Sequence, residues 1–137
     1  MSKKPLTLDR FDALPDTQKD ACVALAMGWE FDPDACHGEG RWRRFNADRV
    51  PLEATWRPPP YVSHAPDAPD RWRWWGEMIE QVIANGYSVE IGNTISGRRY
   101  AVCRHATKPS QFAYDVAEAL CRALCAAGKL EEPDHAD

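Results

Sequence analysis

The sequence predicts an α/β chain of the α+β kind, a layered sandwich in which a small antiparallel sheet packs with about three helices. Two observations carry that expectation. Three segments hold apolar residues at helical spacing on one stripe each, and two runs of alternating residues are joined by a short polar linker. With 137 residues the chain holds one proper core and is too short for two ordinary domains. A 44% hydrophobic and 28% charged composition places it among globular rather than disordered chains.

Residues 1–15 read as an N-terminal arm. Cys22, Leu25, Ala26 and Trp29 then recur at helical spacing, and Asp16, Gln18 and Asp20 around Thr17 suit a helix N-terminus, so a first helix is expected over 16–27, ended by Gly28. Between residues 30 and 69 the periodicity disappears. Prolines at 33, 51, 58, 59, 60, 66 and 69 break regular structure, and a long loop is expected that packs down through Phe31, Trp42, Phe45, Trp56 and Tyr61, with a short strand about Trp42 to Phe45. The second helix is capped by Asp67 or Ala68, takes Pro69 in its first turn, and carries Trp72, Trp75, Met78, Ile79, Val82 and Ile83 as one stripe before Asn85-Gly86 stops it.

Tyr87, Val89 and Ile91 alternate with Ser88, Glu90 and Gly92, and Arg98 to His105 reads as a second β run. The linker 93–97 makes the pair a hairpin, and Lys108-Pro109-Ser110 is expected to end the sheet. Ala113, Val116, Ala117, Leu120 and Leu124 define a third helix closed by Gly128. The domain thus spans 16–128, and 129–137 is a solvated acidic tail.

The balance of 17 basic against 21 acidic residues gives a formal charge of -4, which makes neither duplex nucleic acid nor an anionic membrane an expected partner. No stretch has the apolar core of a signal peptide or the length to span a bilayer, so a cytoplasmic protein is expected, with its five cysteines reduced. Cys121 and Cys125 share a helix face, and Cys36-His37 stands beside Asp32 and Asp34. Neither pair is followed by a second spaced pair, so no metal and no cofactor is expected.

Five short motifs occur in a fixed order: Met27-Gly28-Trp29, Tyr61-Val62-Ser63, the helix of Trp75, the strands around Val89 and Val102, and Leu120-Cys121-Arg122-Ala123-Leu124. In that order and spacing the chain, over about residues 16–128, resembles the phage ABA-sandwich domain, a small α/β family carried largely by phages and prophages. The resemblance implies a sandwich fold and a phage setting. It implies no catalytic signature, and the segment between Trp29 and Pro59 is longer than the family's usual loop.

Six tryptophans and 12 arginines against 5 lysines favour recognition of flat and phosphorylated groups, since a ring can stack on a base while a guanidinium forks onto phosphate oxygens. Arg41-Trp42-Arg43-Arg44, Arg71-Trp72-Arg73-Trp74 and Arg98-Arg99-Tyr100 interleave the two types. The competing explanation is that arginine stems simply cover aromatic faces. Arg98, Arg99 and Arg104 are the candidate phosphate ligands, and Trp42, Arg44 and Trp74 the candidate stacking wall. His37, His64, His105 and His135 fall in no recognisable catalytic spacing, so no catalytic residue is assigned; His105 with Glu90 or Asp115 is the one acid–base pair to consider.

Three functions follow in order of preference. The first is a non-enzymatic phage accessory protein, a homo-oligomer that sequesters a small phosphorylated, nucleotide-like ligand such as a cyclic nucleotide immune signal. The second is a module that inhibits a host or phage protein through exposed aromatics. The third is a small hydrolase or nuclease.

Overall fold

The computed structural model of the protein describes residues 4–65 and 67–132, and in it the sandwich is made of two three-stranded antiparallel sheets and the helices packed with them. The expected arm begins with a helix instead. In α1 (Leu8–Ala13), Thr7 caps the N-terminus by accepting from the Arg10 N–H at 3.2 Å, and Phe11 and the following Leu14 are buried. Leu6 is buried too, its N–H donating to the Leu130 carbonyl at 2.8 Å, while Pro5 bridges to Glu131. A helix of six residues is too short to display a stripe, which is why the sequence pattern misses it. Residues 1–3 and 133–137, His135 included, lie outside the described residues.

The next helix, α2 (Asp16–Ala26), forms where its pattern places it, and Trp29 opens the first sheet. That sheet is the main departure from expectation. The segment expected as a long loop with one short strand about Trp42 to Phe45 folds as an antiparallel meander of β1 (Trp29–Asp32), β2 (Arg41–Phe45), which is that strand, and β3 (Pro51–Thr55), with a one-turn α3 (Ala35–Gly38) between the first two. Its prolines fall where a strand tolerates them: Pro33 follows β1, Pro51 is the first residue of β3, and 58–60 lie past its end. Trp42 faces Phe31 at 5.3 Å between ring centroids and is buried.

The main helix, α4 (Arg71–Ala84), starts two residues after Pro69, with Asp70 in the cap position. The Asp70 carboxylate does not cap the backbone; it accepts from the Trp74 indole at 3.1 Å. Trp75, Met78 and Val82 are buried and Ile79 is half-buried, as the stripe predicts, but Trp72 and Ile83 at its edges are more than half exposed while Trp74 is buried. The covered face is therefore rotated toward Trp74, because Tyr61 from the preceding segment packs edge-on against that ring at 5.1 Å.

In the second sheet β4 (Tyr87–Asn93) and β5 (Arg99–His105) form the expected hairpin, and β6 (Gln111–Ala113) adds a third strand after the turn expected to end the sheet. Its three residues are too few to show alternation. The closing helix α5 (Val116–Ala126) is capped by Asp115 and buries Ala117, Leu120, Cys121, Leu124 and Cys125. Register fixes the faces of this sheet: Tyr87, Ala101 and Cys103 are buried, Val89 and Ile91 pack against the core, and Cys103 Sγ reaches the Ala119 carbonyl of α5 at 3.8 Å. The other face carries Ser88, Glu90, Tyr100, Arg104 and Phe112 around a buried Val102, and among the described residues no helix covers it.

Polar groups tie the first sheet to α4. Arg44 bonds both Glu53 and Glu77, Arg73 also bonds Glu53, and Tyr61 Oη donates to Glu77 at 2.7 Å while accepting from the Trp29 indole at 3.0 Å. Burial acts to raise the Glu77 pKa, but hydrogen bonds from Arg44 and Tyr61 outweigh it and leave the carboxyl below its usual range. Burial together with the bond to Glu77 pushes the Tyr61 phenol well above its ordinary value. Tyr61→Phe, which keeps the packing and removes both bonds, is expected to cost about 1–3 kcal/mol. Urea unfolding of the two proteins checks this, and equal midpoints would mean that the network contributes nothing.

Candidate functional site

The hairpin end of the second sheet and the loop entering α5 enclose the most distinctive surface chemistry. Thr94 holds the turn, its N–H donating to the Arg98 carbonyl at 2.7 Å and its hydroxyl accepting from the Arg98 N–H at 3.1 Å. Arg98 and Arg99 are thereby set side by side with opposite directions. The Arg98 guanidinium lies over the Tyr114 ring, 3.7 Å from its centroid, whereas Arg99 points to the helix side and sits 5.6 Å from the Trp75 ring. Among the described residues neither has a carboxylate in ion-pair reach.

Tyr114 divides two clefts. One, of about 330 Å³, is lined by Asp67, Trp75, Arg99, Tyr114, Asp115 and Val116. The other, of about 510 Å³, is more open and is lined by Arg98, Phe112, Ala113, Tyr114, Asp115 and Glu118. Trp75 is almost fully buried, yet its indole N–H has no hydrogen-bond partner among the described residues. The arrangement thus offers guanidinium groups for an anion, a half-exposed aromatic ring for a flat group, and Asp67 and Asp115 as acceptors for hydroxyl or amino hydrogens.

No protein-family model, curated protein sequence or solved structure matches the chain.

The residues that sequence patterns single out do not converge. Arg98 and Arg99 belong to the clefts just described. Arg104 lies toward the other end of β5, on the open face, and bonds Glu90 at 3.3 Å. Trp42 and Trp74 are buried, and Arg44 is held by Glu53 and Glu77 with its guanidinium 4.9 Å from the Trp29 ring. None of these three lines either cleft, so the expected stacking wall is part of the scaffold. Arginine stems covering aromatic faces account for much of the interleaving: Arg41 lies over Trp56 and Arg73 over Trp74. The ring that does stand at the arginines is Tyr114, which sequence reasoning passes over. It follows a strand too short to carry a pattern, and only the Arg98 guanidinium over its ring marks it in the folded chain.

The acid–base pairing considered for His105 is not formed with Glu90. His105 is on the covered side of the sheet, 4.8 Å from the Tyr87 ring, and its Nδ1 accepts from the Thr107 N–H at 3.1 Å. Glu90 is on the opposite face, where hydrogen bonds from Tyr100 and Arg104 hold its carboxyl below the usual range. His64 donates from Nδ1 to the Pro60 carbonyl at 2.9 Å.

Among the described residues no group of three or more His, Cys, Asp or Glu side chains is arranged to hold a metal. The side chain of Cys36, one of the ligands considered from sequence, lies outside the described set. Cys121 and Cys125 are core residues, with Cys121 Sγ 3.5 Å from Met78 Sδ and Cys125 Sγ donating to the Leu6 carbonyl at 3.0 Å. Burial, with a smaller contribution from Asp12, pushes the Cys125 thiol up to about 11, which leaves little thiolate at neutral pH. No helix among the described residues is long and apolar enough to cross a membrane.

Proposed function

We propose that the protein is a binding protein without turnover, which captures a small phosphorylated, nucleotide-like ligand at the Tyr114 ridge. The observation that carries this reading is the pair Arg98 and Arg99, free of carboxylate partners among the described residues and placed one in each cleft beside the same exposed ring. Arg99 and Arg98 take phosphate oxygens, the Tyr114 ring stacks on the base, and Asp115 accepts from sugar hydroxyls or an exocyclic amine. The cleft volumes of about 330 and 510 Å³ fall in the range of small-molecule sites. The resemblance to the phage ABA-sandwich domain supports a phage setting, in which such capture acts as counter-defence by removing a cyclic nucleotide immune signal from the host cytoplasm. A homo-oligomer belongs to the same reading.

The test is a thermal-shift panel of linear and cyclic nucleotides, followed by recovery of the ligand after denaturation. A bound nucleotide is expected to raise the melting temperature and to be recovered unchanged. Arg99→Ala is expected to weaken it by about 1.5–3 kcal/mol for each charge-assisted hydrogen bond that the guanidinium makes to phosphate. Recovery of hydrolysed product, or no shift with any nucleotide, would overturn the proposal.

A further inference from the structure

The open face of the second sheet carries a row of aromatic rings whose placement the fold alone does not require. Phe112 and Tyr114 are each about half exposed, their rings 5.1 Å apart and edge to face, and Tyr100 stacks beside Phe112 at 5.9 Å with the planes 27° apart. Tyr100 is laid down on the sheet. Its cross-strand partner is Gly92, and a Cβ built there would stand 2.8 Å from the Tyr100 hydroxyl and 2.9 Å from Cζ, so only glycine leaves room for the ring to lie across β4. The hydroxyl of Tyr100 then donates to Glu90 at 2.8 Å.

Charge on this face is arranged around the rings. Arg98 lies over Tyr114 at one end and Arg104 stands toward the other, and Glu90 is occupied by Arg104 and Tyr100. Asp115 and Glu118 lie beyond Tyr114, where they share the second cleft with Arg98. Ring spacings of 5–6 Å along the sheet, with arginines at both ends and no helix above among the described residues, suit successive bases of a flexible strand. A duplex keeps its bases stacked on each other and offers them no such contact.

We infer that the open face of β4, β5 and β6 binds a short single-stranded nucleic acid, with Tyr100, Phe112 and Tyr114 each stacking on a base and Arg98 and Arg104 holding the flanking phosphates. This rests on the reading of the Tyr114 ridge as a nucleotide site and extends it from one nucleotide to a strand of about three, one for each ring.

Fluorescence anisotropy with an end-labelled oligothymidylate of about six nucleotides tests it, with thymidine monophosphate and a duplex of equal length as competitors. The single strand is expected to bind more tightly than either competitor and to weaken as salt rises. Phe112→Ala, a change at an exposed position, is expected to reduce affinity roughly tenfold. Gly92→Val, which lifts Tyr100 without deleting it, is expected to reduce it as well, with circular dichroism confirming the fold. If the monophosphate binds as tightly as the oligomer, the nucleotide site stands and the strand-binding inference falls. If neither binds, the strand-binding inference falls, and the nucleotide reading falls with it only if every nucleotide of the thermal-shift panel fails as well. Equal competition by the duplex would overturn the inference, as would a change of oligomeric state in Phe112→Ala without any oligomer binding, which would assign the face to a second copy of the chain.

Discussion

Trp75→Ala is expected to lower the unfolding free energy by about 3–5 kcal/mol, the range for deleting a large aromatic from a packed core. The ring is 1% exposed and packs against Trp72 of its own helix edge-on at 4.9 Å, His64 at 5.9 Å and the Arg99 guanidinium at 5.6 Å. Against the roughly 5–15 kcal/mol that holds an ordinary domain folded, a loss of that size is a large share of the total. Guanidinium unfolding monitored by circular dichroism measures the loss, and a cost below about 1 kcal/mol would mean that the α4 face is not packed as described. Because Trp75 also lines the cleft with Arg99, Trp75→Phe is the better variant for asking what the indole N–H contributes to a ligand.

The second large effect is expected at Asp20, an acidic residue only 3% exposed. It accepts from the Val62 N–H at 2.6 Å, from the Ser63 N–H at 3.1 Å and from the Ser63 hydroxyl, and so pins the segment carrying Tyr61 onto α2. Asp20→Ala leaves those donors without their acceptor, at about 1–3 kcal/mol for each buried group that water does not reach. Asp20→Asn keeps an acceptor oxygen and is expected to cost much less. The pH dependence has a definite sign. Burial raises the Asp20 pKa above its ordinary 3.8 despite the opposing hydrogen bonds from Ser63 and Val62. The folded protein therefore holds this proton more tightly than the unfolded chain, and the contribution of Asp20 is fully present below pH 3.8 and lost as the pH rises through the folded value. Between mildly acid and neutral pH, Asp20→Asn is expected to gain stability relative to the native protein. Parallel pH dependences in the two proteins would count against a raised pKa.

Much of the fold is legible in the sequence because long elements repeat their signal. The stripe of α4, the alternation through β4 and β5 and the alanine-rich α5 each present enough residues for a period to show. The first sheet does not. Only the short strand about Trp42 to Phe45 shows there; the strands have four or five residues each, and Arg41, Arg43 and Arg44 place charge on both faces of β2, so no alternation links it to neighbours. Pairing across Trp29–Arg44 and Trp42–Thr55 supplies what local pattern lacks. The site is legible only in part. Arg98 and Arg99 announce themselves as adjacent charges, but composition cannot tell a ring that covers the core from one that meets solvent. Trp42 and Trp74 are as aromatic as Tyr114, and only tertiary packing decides that they are covered and Tyr114 is not.

The backbone pairs Leu6 with Leu130 and Glu132 with Lys4. This pairing brings residues at opposite ends of the described chain into neighbouring positions, so that the polypeptide leaves the domain where it entered. A chain arranged in this way can be spliced into a surface loop of another protein, or joined end to end and reopened at the exposed Ile95 turn, without drawing its ends apart. The domain is in that sense a portable cassette, and its surfaces travel with it unchanged.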